Sequence, residues 1–396
     1  MDVEPIAPGN RLRIAVLGDF DGVHARAWLR WFVERGHDVH AVSFYPPASP
    51  LDGVTVHALR RSPPSDRAHP ARASRGSSRL PRGLLRLAHG ARYRFAGLGR
   101  VLSEIAPDVF HGHFLVEHGF YGALAGFHPY VVTTWGSDVL VEPERDRVTR
   151  LIAGWTLRRA DLVTSNNRYM AGRIAALGAR PTKIEVVTLG ADRYFTERRD
   201  ASVNVRGRAP GQPPCVLSTR AHEPLYNIGD VIDAYAVVAR SRPDARLVVA
   251  HGGSLTGQLR RQASGVAGHI GFAGSIDRAA LRDAMTGAEV FVSVPTSDGT
   301  SVALLQAMAA GCFPIVSDLP TQCELVEDGV NGFRAPLHRP DVLAERITRA
   351  LADAALRRAA AVRNLAIVEE RGLNETEMAR MEGLYLRLAG RRRGTK

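Results

Sequence analysis

The stretch SDGTSVALLQAMAAGCFPIVSD, residues 297–318, places an acid, a glycine and hydroxyl side chains in front of an apolar helical pattern. It follows EVFVSVP, an apolar run typical of a buried strand. Thr300 or Ser301 is a suitable N-cap for a helix that ends at Gly311. The free N–H groups of a first helical turn attract anions, and Gly299 lets a ligand approach the backbone. The pattern predicts a phosphate site, with a capped helix that binds no ligand as the alternative.

Two glycines and a histidine follow the first apolar run, RIAVLG. Gly18 and Gly22 flank the turn, and His24 lies at the start of the next helical pattern. The G-x-x-x-G spacing differs from the G-x-G-x-x-G of dinucleotide-binding proteins, and the second strand ends in SFYPP without the acid that binds a ribose. A hydride-transferring enzyme is therefore disfavoured.

Further candidate residues lie near the ends of two other apolar runs. His111 and His113 end PDVFHGH, and Trp135 and Asp138 lie in TTWGSD. We expect the two histidines to face opposite sides of the strand, with His113 toward a ligand. Trp135 either stacks on a sugar ring or packs in the core. Asp138 either orients or deprotonates an acceptor or caps the next helical segment.

Alternating strands and helices must position these residues. Runs typical of buried parallel strands occupy residues 13–18, 38–44, 107–113, 130–136, 161–166 and 183–190. After a charged, Gly/Pro-rich segment at 196–214, the alternation restarts with CVLSTR, ARLVVAHGG, GHIGFAG and EVFVSVP. The pattern predicts two doubly wound α/β domains joined by a linker. Ligands in such sheets bind beyond the carboxyl ends of the strands, where two facing domains would form a cleft.

Composition limits the class of protein. The chain has 396 residues, of which 45% are hydrophobic, and a formal net charge of +12. This length and composition suit a globular protein with two cores. The chain lacks an apolar run of transmembrane length and a signal-peptide pattern, which predicts a cytoplasmic protein. Its three cysteines are too few and too irregularly spaced for a disulfide framework or a zinc site.

Arginine is concentrated between Arg60 and Arg100, where Asp66 is the single acid. The first half of this stretch is rich in Pro and Ser, which predicts a loop. The second half, from Leu80, has the pattern of a basic amphipathic helix suited to anionic lipid or an acidic acceptor, with a solvated loop as the alternative. Aromatic residues are sparse there and no recognition motif is present, so nucleic-acid binding is not expected.

Asp298 and Gln306, followed by AMAAGCFPIVSD, resemble the signature of the retaining family-4 glycosyltransferases, in a sub-branch with the SDGTS form. The motifs DFDGVHARAW, PDVFHGHF, HPYVVTTWGSDVL, ADLVTSN, VLSTR and VEDGVNGFRAP also occur in the family's order. The resemblance implies the GT-B fold, an α/β architecture of two doubly wound Rossmann-like domains facing across a cleft. An acceptor-side domain is expected over 1–198, a donor-binding domain over 212–375, and a helix that packs back on the first domain over 376–396.

The resemblance also implies roles in donor binding. Asp298 would contact the donor sugar, Gly299, Thr300 and Ser301 would offer backbone N–H groups to the diphosphate, and Gln306 would reach the ribose. The family usually has glutamate at the position of Gln306. An amide offers one acceptor oxygen, so we expect ribose binding to be weaker by about 1–2 kcal/mol.

Arg220, at the end of CVLSTR, resembles the family's phosphate-binding arginine. The usual lysine about five residues further on is absent, and Tyr226 lies nearby instead. Arg220 would therefore carry more of the leaving-group stabilisation. Gly22 would approach the donor phosphate, and the backbone at Gly271, in GHIGFAG, would lie near the base. Asp138, Arg220 and Asp298 are the expected catalytic residues.

His24, His113 and Trp135 are the expected acceptor-binding residues, and Trp135 lies where the family often has histidine. The implied reaction moves a sugar from a UDP or GDP sugar to a glycan, lipid-linked or small-metabolite acceptor, with retention and without a metal or other cofactor. No matched pair of carboxylates is present for a double displacement, which favours a front-side displacement.

Two alternatives remain open. The departures at Gln306, at Trp135 and after Arg220 would also suit a nucleotide-sugar-binding partner subunit with little catalysis of its own. A sugar-nucleotide epimerase would convert the donor without an acceptor. The protein is expected in the cytoplasm, with the stretch 60–100 as a candidate for peripheral contact with the inner face of the membrane.

Overall fold

A computed structural model describes residues 6–60, 82–95, 97–196, 212–266 and 269–393. The chain divides into two compact units, the first formed by Met1–Val187 and Met378–Lys396 and the second by Thr188–Glu377. Most of the expected linker at 196–214 lies outside the described residues, as does the loop expected in the first half of the arginine-rich stretch. Among the described residues, no helix combines the length and the apolar character needed to cross a bilayer.

The first unit contains a seven-stranded parallel sheet in the order β3-β2-β1-β4-β5-β6-β7. Its strands are β1 (Arg13–Leu17), β2 (Asp38–Ser43), β3 (Thr55–Ala58), β4 (Val109–His113), β5 (Tyr130–Thr133), β6 (Leu162–Ser165) and β7 (Ile184–Val186). The central strands β4, β5 and β6 are buried along their whole length, as is typical of parallel sheets. The strand order reverses between β1 and β4, and sheets of this type bind ligands beyond the carboxyl ends at that point.

Helices accompany this sheet. They are α1 (Val23–Glu34), α2 (Arg82–Phe95), α3 (Leu98–Ile105), α4 (Phe120–Ala123), α5 (Ser137–Leu140), α6 (Glu142–Arg145), α7 (Arg147–Arg159) and α8 (Arg168–Ala176). The helix expected from Leu80 is confirmed as α2. The last turn of α7 contains Arg158 and Arg159, and positive charges are favourable at the C-terminal end of a helix.

The second unit contains a six-stranded parallel sheet in the order β10-β9-β8-β11-β12-β13. Its strands are β8 (Cys215–Ser218), β9 (Arg246–Ala250), β10 (His269–Gly274), β11 (Val290–Ser293), β12 (Phe313–Ser317) and β13 (Phe333–Ala335). Its helices are α9 (Ile228–Ser241), α10 (Thr256–Ser264), α11 (Arg278–Thr286), α12 (Val302–Ala310), α13 (Pro320–Cys323), α14 (Pro340–Ala352) and α15 (Ala354–Arg371). The order reverses between β8 and β11.

The last helix, α16 (Asn374–Arg393), begins in the second unit and continues into the first. Within the first unit, Glu382 accepts hydrogen bonds from the guanidinium of Arg35 and lies 2.6 Å from Nε2 of His37. The ring of Tyr385 stacks on Phe32 with 5.1 Å between centroids. The final part of the chain is therefore a component of the first unit's core.

Candidate functional site

The carboxyl edge of the second sheet is built around the start of α12. Ser301 is its N-cap, and its Oγ accepts a hydrogen bond from the N–H of Leu304 at 3.3 Å. Gly311 ends the helix in the left-handed conformation, with φ of 88°. The helix bounds expected from the sequence are thus confirmed. Gly299 and Thr300 are buried in the turn before the cap, so the first turn of α12 begins at the edge where ligands bind such sheets.

Arg220 lies at the same edge, two residues after β8. Its Nη2 donates to Oδ2 of Asp298 at 2.8 Å, and its Nη1 donates to Oγ of Ser301 at 2.5 Å. The guanidinium lies over the ring of Tyr226, 4.3 Å from the centroid. A cation, a carboxylate and the N-cap of a helix therefore meet at one point, as the sequence suggested.

Asp298 is held from two sides. Burial raises its pKa, while the neighbouring Arg220 and the N–H of Gly299 favour the charged form. The hydroxyl of Thr321, in α13, donates to the backbone oxygen of Asp298 at 2.9 Å. This bond connects the loop after β11 to the segment after β12 and restrains the backbone that carries Asp298.

Gln306 belongs to the helix that starts at Ser301, whereas Gly271 lies within a strand. Gln306 lies one turn into α12 on the partly exposed side of the helix, together with Val302 and Ala303. Gly271 lies inside β10, paired with Val248 of β9, so β9 separates it from β8. The structure therefore does not bring Gly271 to the carboxyl edge, because the turn that ends the strand comes later, at Gly274 with φ of 67°.

Several buried polar atoms near this edge have no hydrogen-bond partner among the described residues. They are Oγ of Ser218, Oγ1 of Thr219, Nε of Arg220, Nε2 of His222 and Oγ of Ser293. An unpaired buried polar group costs about 1–3 kcal/mol. Apart from Arg220, these residues were not among the candidates from the sequence, although their positions at the ends of β8 and β11 were a signal that could have identified them. Their concentration here is typical of a site that a polar ligand or water completes.

The expectation for the two histidines of β4 is wrong. Residues two apart on a strand share a face, and the rings of His111 and His113 lie 4.6 Å apart. Each ring centroid also lies 5.3 Å from that of Trp28, in α1. Trp28 belongs to this group although its helical, apolar position gave no functional signal in the sequence.

His113 is the last residue of β4, at the carboxyl edge of the first sheet. Its two ring nitrogens have no partner among the described residues, and burial lowers its pKa to about 3. Its ring centroid lies 5.4 Å from that of Trp135, which lies 5.9 Å from that of His24. The three candidate acceptor residues are therefore close together. Gly22 is the exposed residue before α1, and a side chain there would meet open space.

Asp138 has no exposed surface, and its carboxylate is occupied by backbone donors. Its Oδ2 accepts from the N–H of Leu115 at 2.8 Å, and its Oδ1 accepts from Trp135 at 3.0 Å and Gly136 at 2.9 Å. Burial raises its pKa, although these donors favour the charged form. A carboxylate in this state cannot reach an acceptor hydroxyl, so the geometry favours a positioning role, in which Asp138 holds the backbone that carries Trp135.

No group of three or more His, Cys, Asp or Glu side chains within the described ranges is arranged to hold a metal ion.

Comparisons with known proteins identify the relatives of both units. One family model, "Glycosyl transferase 4-like", matches residues 13–167, and a second, "Glycosyl transferases group 1", matches residues 204–364. The phosphatidyl-myo-inositol mannosyltransferase of Mycobacterium tuberculosis (strain ATCC 25618 / H37Rv) is 35% identical over 135 residues, which cover 33% of this chain and 35% of the relative. The D-inositol 3-phosphate glycosyltransferase of Jonesia denitrificans is 31% identical over 214 residues, 50% of each chain. The match thus spans between about a third and a half of these curated relatives.

Solved structures show the same fold at lower sequence identity. The sucrose-phosphate synthase of Thermosynechococcus elongatus has a TM-score of 0.74 and 18% identity, covering 95% of this chain and 98% of that chain. HepE of Anabaena, in complex with UDP-glucose, has a TM-score of 0.69 and 18% identity, covering 94% of this chain and 99% of that chain. These similarities and the family models confirm the expected GT-B fold.

Replacing Asp138 with asparagine should destabilise the first unit by about 1–3 kcal/mol, because the amide NH2 would face at least one of the three backbone donors. We expect the midpoint of urea unfolding to be lower. Tryptophan fluorescence measures it, because all tryptophans of the sequence lie in the first unit. Asp52→Asn, at an exposed position of the same unit, is the control and should leave the midpoint unchanged. Equal midpoints for both variants would show that the three bonds contribute little.

Proposed function

Since the chain belongs to the family-4 glycosyltransferases of the GT-B class, we propose that it transfers a sugar from a nucleoside diphosphate sugar to an acceptor hydroxyl. The observation that carries this proposal is the meeting of Arg220, Asp298 and the N-cap Ser301 at the carboxyl edge of the second sheet. A guanidinium and the start of a helix form a suitable site for a diphosphate. HepE, which has a similar fold, binds UDP-glucose, which supports UDP as one of the two candidate nucleotides beside GDP.

In this proposal, Arg220 and the N–H groups at the start of α12 stabilise the negative charge that develops on the leaving diphosphate. Preorganised donors of this kind act without reorganisation during the reaction and supply a large part of the rate enhancement. Asp298, next to Arg220, would accept hydrogen bonds from the donor sugar. We expect the reaction to need no metal ion, and to proceed with retention through a front-side displacement in which the leaving oxygen takes the acceptor proton.

The acceptor would bind at the carboxyl edge of the first sheet. Trp135 offers an aromatic surface for a sugar or cyclitol ring, and the two ring nitrogens of His113 have no hydrogen-bond partner in the part of the chain that the structure describes. His24 lies beside Trp135 on the exposed side. The names of the curated relatives, which act on phosphatidyl-myo-inositol or D-inositol 3-phosphate, favour an inositol-containing acceptor among the glycan, lipid-linked and small-metabolite classes.

A nucleotide-sugar-binding partner subunit is the second candidate. Gln306 lacks the negative charge of the family's usual carboxylate. Tyr226, the neighbour of Arg220, lacks the positive charge of the family's usual lysine. Both differences leave fewer charged groups for catalysis. Purified protein distinguishes the two functions. Donor turnover in the presence of phosphatidylinositol or inositol phosphate supports the enzyme, whereas nucleotide binding without turnover by any acceptor supports the subunit. Conversion of the donor without an acceptor would indicate an epimerase.

We also propose that α2 contacts an anionic membrane surface. This helix exposes apolar side chains and buries a charged one. Leu84 and Leu87 are 44% and 43% exposed, whereas Arg86 is buried. The guanidinium of Arg86 donates to Glu142 at 2.6 Å and to Thr149 at 3.0 Å, so it is used inside the unit. The helix sequence RGLLRLAHGARYRF contains no acid. Exposed leucines on a basic helix are typical of interfacial helices that bind anionic lipid.

Arg220→Ala should weaken the binding of UDP or GDP roughly ten- to hundred-fold, because one charge-assisted donor to the diphosphate is lost. The measurement is a thermal-shift titration in the presence of EDTA, which also tests binding without a metal. The matched control is Arg363→Ala, in which an exposed arginine of the same unit loses its pairing with Glu327. Nucleotide affinity equal to that of the native protein in the Arg220 variant would refute the donor site.

Gln306→Glu should tighten nucleotide binding roughly ten-fold, because a carboxylate accepts from both hydroxyls of the ribose. Isothermal titration with UDP and with 2′-deoxy-UDP checks the mechanism as well as the size of the gain. The gain should be small for the deoxy nucleotide, which lacks one of the two hydroxyls. An equal gain for both nucleotides would place Gln306 away from the ribose.

The double substitution Leu84→Gln and Leu87→Gln should reduce binding to vesicles of phosphatidylglycerol and phosphatidylcholine at least roughly five-fold, because the apolar contact with the bilayer is lost. Vesicle flotation measures the bound fraction. Val362→Gln, at an exposed apolar position of the second unit, is the control. Unchanged binding by the double variant, or equal binding of the native protein to pure phosphatidylcholine, would contradict the proposal.

A further inference from the structure

A chain of buried hydrogen bonds connects α16 to the central strands of the first unit. The hydroxyl of Tyr385 lies 2.5 Å from Nδ1 of His111, and Nε2 of His111 lies 2.7 Å from Oγ1 of Thr133. Oγ1 of Thr133 lies 2.6 Å from Oγ1 of Thr164. All four side chains are buried, and the role assigned above to the acceptor edge does not use Tyr385 or His111.

The positions of the protons follow from the donors and acceptors present. A phenol in a dry interior needs an acceptor for its proton, and among the described residues that acceptor is Nδ1 of His111. Burial raises the pKa of Tyr385 and lowers that of His111, so the phenol keeps its proton and the imidazole is neutral. A neutral imidazole that accepts at Nδ1 carries its proton on Nε2 and donates it to Thr133.

We infer that Tyr385 is a positioning residue whose hydroxyl holds His111 in the Nε2–H tautomer and thereby fixes the buried side of the acceptor site. The His111 ring contacts the rings of His113 and Trp28, with centroids 4.6 Å and 5.3 Å away. His113 in turn contacts Trp135. A turn of the His111 ring, or a change of its tautomer, would therefore be transmitted to the residues proposed to bind the acceptor.

Tyr385→Phe removes the donor and keeps the shape. The new ring retains the stacking on Phe32, so the helix should stay in place. Nδ1 of His111 is then a buried acceptor without a donor, which is unfavourable. With the phenol gone, no donor fixes the proton of His111 on Nε2, so the other tautomer and a turned ring both become accessible. The consequence for the acceptor rests on the proposed function, whereas the tautomer does not.

The tautomer is read directly from long-range ¹H–¹⁵N correlation spectra of ¹⁵N-labelled full-length protein, with the His111 signals identified by their loss in His111→Gln. We expect an unprotonated Nδ1 and a protonated Nε2 in the native protein, and a changed pattern in Tyr385→Phe. Tyr235→Phe is the matched control, because the hydroxyl of Tyr235 is also buried and donates to the backbone oxygen of Ala245 at 2.7 Å in the second unit. The control should leave the His111 signals unchanged.

A protonated Nδ1 on His111 in the native protein, or the same His111 signals in Tyr385→Phe, would overturn the inference. With phosphatidylinositol or inositol phosphate as acceptor, the Tyr385 variant should show an acceptor KM at least roughly five-fold higher and an unchanged affinity for the nucleotide. An unchanged acceptor KM would overturn the functional part of the inference. If the native protein transfers no sugar, the proposed function fails, and the spectra still decide the tautomer.

Discussion

The carboxyl edge of the second unit depends on how one buried guanidinium is paired. Arg220 is 9% exposed and meets Asp298, Ser301 and the face of Tyr226. Removing a charge from water costs several kcal/mol unless it is paired in good geometry. The segments after β8 and β11 must therefore meet in one arrangement, which also sets Ser301 as the N-cap of α12. The capacity to bind an anion and the local fold follow from the same requirement.

The fold was predictable where the local signals were strong. Central strands buried on both faces gave mainly apolar runs, and the hydroxyl before α12 and the glycine after it marked both ends of that helix. β3, β12 and β13 were not recognised. β3 and β13 are short edge strands of four and three residues. β12 begins two residues after Gly311, so its apolar pattern is continuous with that of the preceding helix and carries no separate period.

The sequence predicted many residues of the candidate site, but not how their side chains are oriented or which groups they contact. A sequence shows that Asp138 follows a strand, but it does not show that three backbone N–H groups occupy the carboxylate. The assignment of His111 and His113 to opposite faces was an error of strand geometry, because their spacing already places both on one face. Trp28 was missed because an aromatic residue on a helix more often belongs to the core. Gly271 was named as a contact of the base, but the strand extends beyond it to Gly274.

The return of the chain to the first unit at Met378 has a consequence for biosynthesis. A ribosome delivers the strands of the first sheet early, but Phe32 and His37 lack their partners Tyr385 and Glu382 until those two residues have been synthesised, after the whole second unit. The second unit, which is continuous in sequence, can complete its core before the first one does. The unit that is synthesised first therefore completes its folding last. Until then its incomplete core leaves apolar side chains exposed, and chaperones can bind them.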